Sequence, residues 1–338
     1  MLKVKPEDLI SVPTPLVDVR SPGEFGAGHI PGAHSLPLFS NEERAEVGIS
    51  YKNDGPQAAI KLGLDIVGPK MRNLVEQAEE LGAPALTLYC WRGGMRSESM
   101  AWLLEKGGLE IGVLEGGYKA FRRQVHGYFD QPLPLHVLTG YTGSTKTEVL
   151  HAMADQGVQV IDLEGLANHQ GSSFGNQLST YQPSTEQFQN DLLTAFLRMD
   201  ATQPIWLEDE SICIGKVSLP ESLFEQMSLA PHYHLTMPQS RRIRHLVSAY
   251  GKLEADQLIT ATLAIRKKLG PGPTEEAIEH LSTGQMDAAA QIILSYYDRQ
   301  YRKSIDRKKE LIQVYVDGAK KDINQIAKEL IEKQCQLN

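Results

Sequence analysis

Two patterns alternate along the first two-thirds of the chain: short apolar runs and stretches with helical spacing. Leu16-Val17-Asp18-Val19 reads as a buried strand. Ser21-Pro22-Gly23-Glu24-Phe25 starts a short helix. His29-Ile30-Pro31-Gly32-Ala33, punctuated by proline and glycine, makes a turn before a second strand. Val67, Met71, Leu74, Val75, Ala78 and Leu81 recur at helical spacing over 66–81. Ala85-Leu86-Thr87-Leu88-Tyr89-Cys90 is a strand. Ser97 through Glu105 is a helix stopped by Gly107-Gly108, and Ile111-Gly112-Val113-Leu114 is another strand. Such alternation predicts a parallel sheet with covering helices.

Gln131-Pro132-Leu133-Pro134 reads as a linker to a second α/β region. Its strands are Leu135-His136-Val137-Leu138-Thr139, Val158-Gln159-Val160-Ile161-Asp162, Pro204-Ile205-Trp206-Leu207-Glu208 and His232-Tyr233-His234-Leu235-Thr236. From Gln239 the pattern is helical almost throughout, broken at Gly270-Pro271-Gly272-Pro273. Three regions are expected: 1–130, 131–238 and 239–338.

Composition narrows the class. With 338 residues, 41% hydrophobic and 22% charged, the chain has apolar mass for two domains and an appendage. Disorder, collagen and a disulfide-stapled mini-protein are excluded. No apolar run nears the roughly 20 residues of a membrane helix, and MLKVKPEDLI lacks a signal core. Cys90, Cys213 and Cys335 have no metal-ligand spacing and cannot all pair, so a reducing, cytoplasmic setting without membrane contact is expected. Cys213 and Cys335 read as inert. Residues 1–237 hold 17 Lys/Arg against 29 Asp/Glu, whereas 238–338 hold 17 against 13. An acidic protein binds anions only through a local basic surface, which points to the last hundred residues.

Cys90-Trp91-Arg92-Gly93-Gly94-Met95-Arg96-Ser97 joins a strand to a helix. A loop there aims successive backbone N–H groups at one point, and the helix adds its positive end. A thiol in that bowl is acidified, with Arg92 and Arg96 adding charge. Such a loop suits a cysteine that carries sulfur or selenium, or one that attacks a phosphoryl group.

Asp18-Val19-Arg20-Ser21-Pro22-x-Glu24-Phe25-x-x-Gly28-His29-Ile30-Pro31-Gly32-Ala33 resembles the opening signature of a rhodanese domain, and Cys90 falls where that family has its catalytic cysteine. The resemblance covers roughly residues 10–128. The spacing from Cys90 to Arg96 is C-x5-R, which is also that of cysteine phosphatases; sulfurtransferases of this fold have a loop one residue shorter.

Gly140-Tyr141-Thr142-Gly143-Ser144-Thr145-Lys146-Thr147 follows an apolar strand and opens a helix, the context of a P-loop. Its N–H groups cradle phosphate, Lys146 reaches the terminal group, and Thr147 would hold a metal ion such as Mg²⁺. Thr145 replaces the second glycine of the motif. Its Cβ crowds the cradle, which puts nucleotide hydrolysis in doubt but not anion binding. The supporting acid should end a neighbouring strand. Asp209 is the first choice, with Asp162 and Glu208 close behind.

The fold class expected is therefore α/β: a rhodanese-like parallel-sheet domain, a P-loop α/β domain and a helical C-terminal region. Further segments match one family, among them Leu36-Pro37-Leu38-Phe39-Ser40-Asn41-Glu42-Glu43-Arg44, Leu114-Glu115-Gly116-Gly117-Tyr118, Asp162-Leu163-Glu164-Gly165-Leu166-Ala167-Asn168-His169 and Glu208-Asp209-Glu210-Ser211. The chain resembles bacterial tRNA 2-selenouridine synthases along almost its full length. That resemblance implies a two-step change to the wobble 2-thiouridine of tRNA: S-geranylation from geranyl diphosphate, then replacement of the geranylthio group by selenium from selenophosphate. Cys90 would carry selenium or attack the ring, and Trp91, Arg92, Gly93, Gly94, Met95 and Arg96 would bind selenophosphate. Gly140, Thr142, Gly143, Ser144, Thr145, Lys146 and Thr147 would take the diphosphate.

No tightly bound cofactor is expected. The partners implied are the anticodon region of tRNA and an enzyme that supplies selenophosphate. Arg241, Arg242, Arg244, Arg266, Lys267 and Lys268 are the first RNA-binding candidates, followed by Arg299, Arg302 and Lys303, with Tyr296, Tyr297 and Tyr301 either stacking on bases or packing in a core. His29, His34 and His169 read as turn or packing residues, with His169 turned toward the second site. Two other readings stand: a P-loop kinase or nucleotide switch with a regulatory rhodanese module, and a C-x5-R phosphatase.

Overall fold

The computed structural model describes residues 2–169 and 181–337. The chain divides into two compact units, the first of residues 1–128 with 189–197, the second of 129–188 with 198–338.

In the first unit the order is β1 (Leu2–Val4), β2 (Leu16–Asp18), α1 (Pro22–Ala27), β3 (His34–Ser35), α2 (Asn41–Asn53), α3 (Pro56–Val67), α4 (Met71–Glu79), β4 (Ala85–Tyr89), α5 (Met95–Lys106), β5 (Glu110–Leu114) and α6 (Gly117–Tyr128). The strands lie in the order β1-β5-β4-β2-β3, all parallel. A sheet covered on both faces needs apolar residues at successive positions, and Leu86, Leu88, Val17, Val113, Met100 and Leu104 are fully buried. Ser21 caps α1 through a reciprocal bond with Glu24, and Pro22 presets the first turn. The helix expected over 66–81 is instead two helices. Pro69, which has no N–H to continue the first, sits in a 3₁₀ turn between them.

Asp18 and Arg20 form a buried ion pair at 2.6 Å, and Arg20 Nη2 also donates to the Gly28 carbonyl at 2.7 Å. The guanidinium lies 3.9 Å from the ring centre of Tyr118 at the start of α6. The Asp-x-Arg of the opening signature thus ties β2 to the helix beside the cysteine loop. Removing one partner of such a pair leaves a buried charge uncompensated.

The chain continues with β6 (Leu135–Thr139), α7 (Lys146–Ala154), β7 (Gln159–Val160), α8 (Leu163–Leu166), α9 (Thr185–Phe196, of which 189–196 belong to the first unit), β8 (Ile205–Glu208), the short hairpin β9 (Cys213–Ile214) and β10 (Val217–Ser218), α10 (Glu221–Leu229) and β11 (His232–Thr236). Then come α11 (Gln239–Tyr250), α12 (Ala255–Ala264), α13 (Arg266–Leu269), α14 (Pro271–Ser282), α15 (Met286–Arg307), β12 (Ile312–Asp317) and α16 (Ile323–Leu337). The sheet order is β12-β11-β6-β8-β7, again parallel throughout.

The last hundred residues depart from the helical expectation. β12 alternates Ile312, Val314 and Val316 with polar or exposed positions and pairs along β11, so it completes the sheet. Its period of two is brief and lies between long helical stretches. Residues 239–338 therefore belong to the second unit, whose sheet they extend. The helices α12 to α15 also pack around an apolar cluster of their own, including Leu258, Ala277, Leu281 and Ile293. Among the described residues, no helix is long and apolar enough to cross a membrane.

Candidate functional site

Cys90 follows β4 and opens the loop to α5, with its side chain 3% exposed. Its Sγ lies 3.3 Å from the Ser97 Oγ and 3.9 Å from the Gly94 carbonyl oxygen, to which the Ser97 hydroxyl donates at 3.0 Å. Burial pushes the thiol pKa up. The Ser97 hydroxyl and the N–H groups of Ser97, Arg92 and Gly94 outweigh it, and the net shift is downward. The site therefore favours a thiolate nucleophile. Trp91, Arg92 and Met95 are exposed around it, the Trp91 ring 5.8 Å from that of Tyr118.

Arg96 is held by a carboxylate. It donates to Glu24 from Nη1 at 2.8 Å and from Nη2 at 3.4 Å. Burial raises the Glu24 pKa, but these bonds, the Ser21 N–H and the charge of Arg44 bring it below its ordinary value. A phosphatase of the C-x5-R kind turns that guanidinium onto the phosphate. Here the Glu24 fork holds it, which disfavours that reading.

The loop keeps its shape through glycine contacts that the sequence reading left without a role. Gly117 has φ +57°, and a Cβ there would stand 2.2 Å from the Cys90 carbonyl oxygen and 2.5 Å from the Gly93 nitrogen. Gly93, at φ +66°, would reciprocally meet the Leu114 carbonyl at 2.5 Å. Tyr118 and Lys119 donate their N–H groups to the carbonyls of Cys90 and Trp91, each at 2.9 Å. The Gly116-Gly117 pair at the start of α6 is the signal from which this could have been read, since two adjacent glycines at a strand–helix turn mark close backbone approach.

In the second unit, β6 leads into the phosphate loop and α7. Thr145 adopts φ 61° and ψ 34°, the left-handed conformation that glycine takes most cheaply. Its Oγ1 donates to the Ser144 carbonyl at 2.6 Å. The position thus keeps a glycine-like backbone while carrying a threonine. Lys146 Nζ donates to the Gly140 carbonyl at 3.4 Å and lies 5.7 Å from the ring centre of Tyr301. The loop borders a pocket of about 460 Å³ whose other walls include Asp162, Glu164, His169, His245, Tyr297 and Tyr301. His169 faces this site, as its place beside Asn168 suggested.

The acids rank differently from the sequence expectation. Asp209, the first choice, has a side chain 8% exposed and is paired with Lys308. Burial raises its pKa, but the Lys308 charge takes it below its ordinary value. Glu164, not singled out from sequence, accepts from the Thr147 hydroxyl at 3.4 Å. Glu208 accepts the Leu163 N–H at 3.0 Å, and burial together with the charges of Asp162 and Glu164 pushes its pKa to about 8. Burial likewise raises Glu164 and Glu210, the latter further by Glu164. Asp162 caps α8 through the Gly165 N–H at 2.6 Å and meets His151 Nε2 at 2.8 Å. The arrangement is a P-loop-like turn with one lysine, backed by carboxyl groups whose pKa values burial raises.

Comparison with known proteins accords with both loops. The family profile of the Rhodanese-like domain matches residues 5–124, and that of the tRNA 2-selenouridine synthase AAA domain matches 133–269. A tRNA 2-selenouridine synthase of Shewanella sediminis is 33% identical over 88% of this chain and 89% of its own. One from Psychromonas ingrahamii is 33% identical over 90% and 92%, and one from Cronobacter sakazakii 36% over 90% and 90%. The chain belongs to the tRNA 2-selenouridine synthase family.

In this family member the basic residues expected at RNA divide into two groups. Arg242 is buried, forks onto Asp298 at 2.7 and 2.8 Å, and donates to the Thr142 carbonyl at 3.2 Å, so it braces the phosphate loop. Arg241 donates to the carbonyls of Gly318 and Lys321. Arg242 is thus engaged inside the fold, and the half-buried Arg241 is held by backbone carbonyls. Arg244, Arg266, Lys267 and Lys268 are exposed, with Arg266 3.4 Å from Glu275. Arg299 and Arg302 lie on α15, and the side chain of Lys303 is outside the described residues. Tyr296 is core, while Tyr297 and Tyr301 line the phosphate pocket.

Proposed function

We propose that the chain is a tRNA-modifying transferase that converts wobble 2-thiouridine to 2-selenouridine in two steps. The phosphate loop holds the diphosphate of geranyl diphosphate with its N–H groups and Lys146. The thione sulfur attacks carbon 1 of the geranyl group, the C–O bond breaks, and diphosphate leaves. Alkylation turns a poor leaving group at C2 of the base into a good one. The Cys90 thiolate then adds at C2 and expels geranylthiol. Selenium of selenophosphate displaces Cys90, and water cleaves the Se–P bond to release phosphate. This order needs no oxidant, whereas a Cys90–selenium bond formed from fully reduced selenophosphate would require one.

The observation that carries the reading is the acidified Cys90 thiol, in a chain that also carries a phosphate cradle whose lysine is in place. A Mg²⁺ ion would fit beside Thr147 and the donor's own phosphate oxygens, the mode this ion favours, and would neutralise charge on the diphosphate. Arg92 suits the selenophosphate anion, with the N–H groups of the cysteine loop. The test is single-turnover assay of two variants on 2-thiouridine tRNA. Lys146→Ala is expected to lose geranyl transfer. Cys90→Ala is expected to keep geranylation and lose selenation. Normal geranylation by Lys146→Ala, or normal selenation by Cys90→Ala, would overturn the assignment.

A further inference from the structure

A second cavity opens beside the phosphate pocket, among α11, α12, α14 and α15. Leu258, Leu281, Ala290 and Ile293 line this cavity alone, while Thr142, Leu246, Tyr250 and Tyr297 line both spaces. The two therefore adjoin: one is polar with a lysine and backbone donors, the other almost wholly apolar. An apolar void forfeits the dispersion contacts of its walls, so a fold that leaves one open at a ligand site gains by filling it. The only molecules that satisfy both halves at once have an anionic head and a short hydrocarbon tail.

Size narrows the tail. The cavity is about 60 Å³, and a water-sized group needs roughly 10–15 Å³ of such space. That leaves room for about four to six such groups, the size of one branched five-carbon unit. We infer that this cavity receives the terminal isoprene unit of a ten-carbon allylic diphosphate, and that Ala290 limits tail length. The inference rests on the reading above, in which the diphosphate sits at the phosphate loop. The first isoprene unit then crosses the shared mouth at Leu246 and Tyr250, and C1 stays near the polar pocket where sulfur attacks it.

The experiment is calorimetric titration of the full chain with inorganic pyrophosphate and with dimethylallyl, geranyl and farnesyl diphosphates. At about 0.8 kcal/mol per buried CH₂, discounted for ordering the tail, geranyl diphosphate should bind on the order of 100-fold tighter than dimethylallyl diphosphate. Farnesyl diphosphate should gain nothing over geranyl. In Ala290→Leu, geranyl affinity should fall about tenfold or more, with pyrophosphate affinity held within about twofold, which also reports that the variant is folded. Equal binding of geranyl diphosphate and pyrophosphate by the unaltered protein would overturn the cavity assignment, as would an Ala290→Leu effect shared by every ligand. Unchanged binding of all four ligands by Lys146→Ala would overturn the phosphate-loop reading instead, and with it the path of the tail.

Discussion

The hydroxyl of Ser97 stands 3.3 Å from the sulfur of Cys90, two positions into the helix that follows the loop. In the thiol form this hydroxyl donates to the Gly94 carbonyl; on ionisation it can turn to the sulfur. Ser97→Ala is therefore expected to raise the Cys90 pKa, leave the fold intact and slow alkylation by iodoacetamide at neutral pH. Ser97→Thr should restore most of the rate. A pH profile of alkylation in the three proteins checks this, and a profile unmoved by Ser97→Ala would refute it.

Thr145 holds a left-handed backbone that costs a non-glycine residue roughly 1–2 kcal/mol. Thr145→Gly removes that strain but adds freedom to the unfolded chain, so the net gain should be up to about 1 kcal/mol. Urea unfolding, with and without pyrophosphate, reads the outcome. Destabilisation by the glycine would mean that the Thr145 hydroxyl contact to Ser144 outweighs the strain.

Glu208 has its pKa raised from 4.5 to about 8 by burial and by the nearby Asp162 and Glu164. The native state then binds a proton that the unfolded state releases between those values. Its stabilising protonation is complete below pH 4.5 and is lost as pH rises toward 8. The second unit should melt lower at pH 8 than at pH 6, and Glu208→Gln should flatten that slope. Melting temperatures across this range provide the measurement. Glu164 and Glu210 face the same region, so the residual slope in Glu208→Gln reports on them.

Arg242 and Lys267 separate structural from surface basic residues. Arg242→Ala leaves Asp298 without its fork and should cost about 2–3 kcal/mol, because the arginine is buried and the aspartate partly exposed. Lys267→Ala and Lys268→Ala should change stability by less than about 0.5 kcal/mol while each lowers the salt dependence of tRNA binding by about one charge. Thermal melts paired with binding at several salt concentrations distinguish the two. Lysine variants that bind tRNA with an unaltered salt slope would remove α13 from the RNA surface.

Local sequence determined much of this protein. The largely apolar runs at 85–89, 135–139 and 232–236 are strands: a parallel sheet buried on both faces demands such runs, and five residues are too few for a buried helix. The cysteine and phosphate loops were equally legible, since glycines, a strand before and a helix after are all set within a few residues. Other features were settled only by contacts distant in sequence. Whether Arg96 meets an anion or Glu24 depends on a residue 72 positions away, and whether Arg242 meets RNA or Asp298 on one 56 positions away. Asp209 pairs with Lys308, 99 positions on, and β12 found its place only by pairing with β11. A charged side chain's partner is fixed by tertiary packing, because desolvation and Coulomb attraction act between neighbours in space, and local patterning does not encode which neighbours those will be.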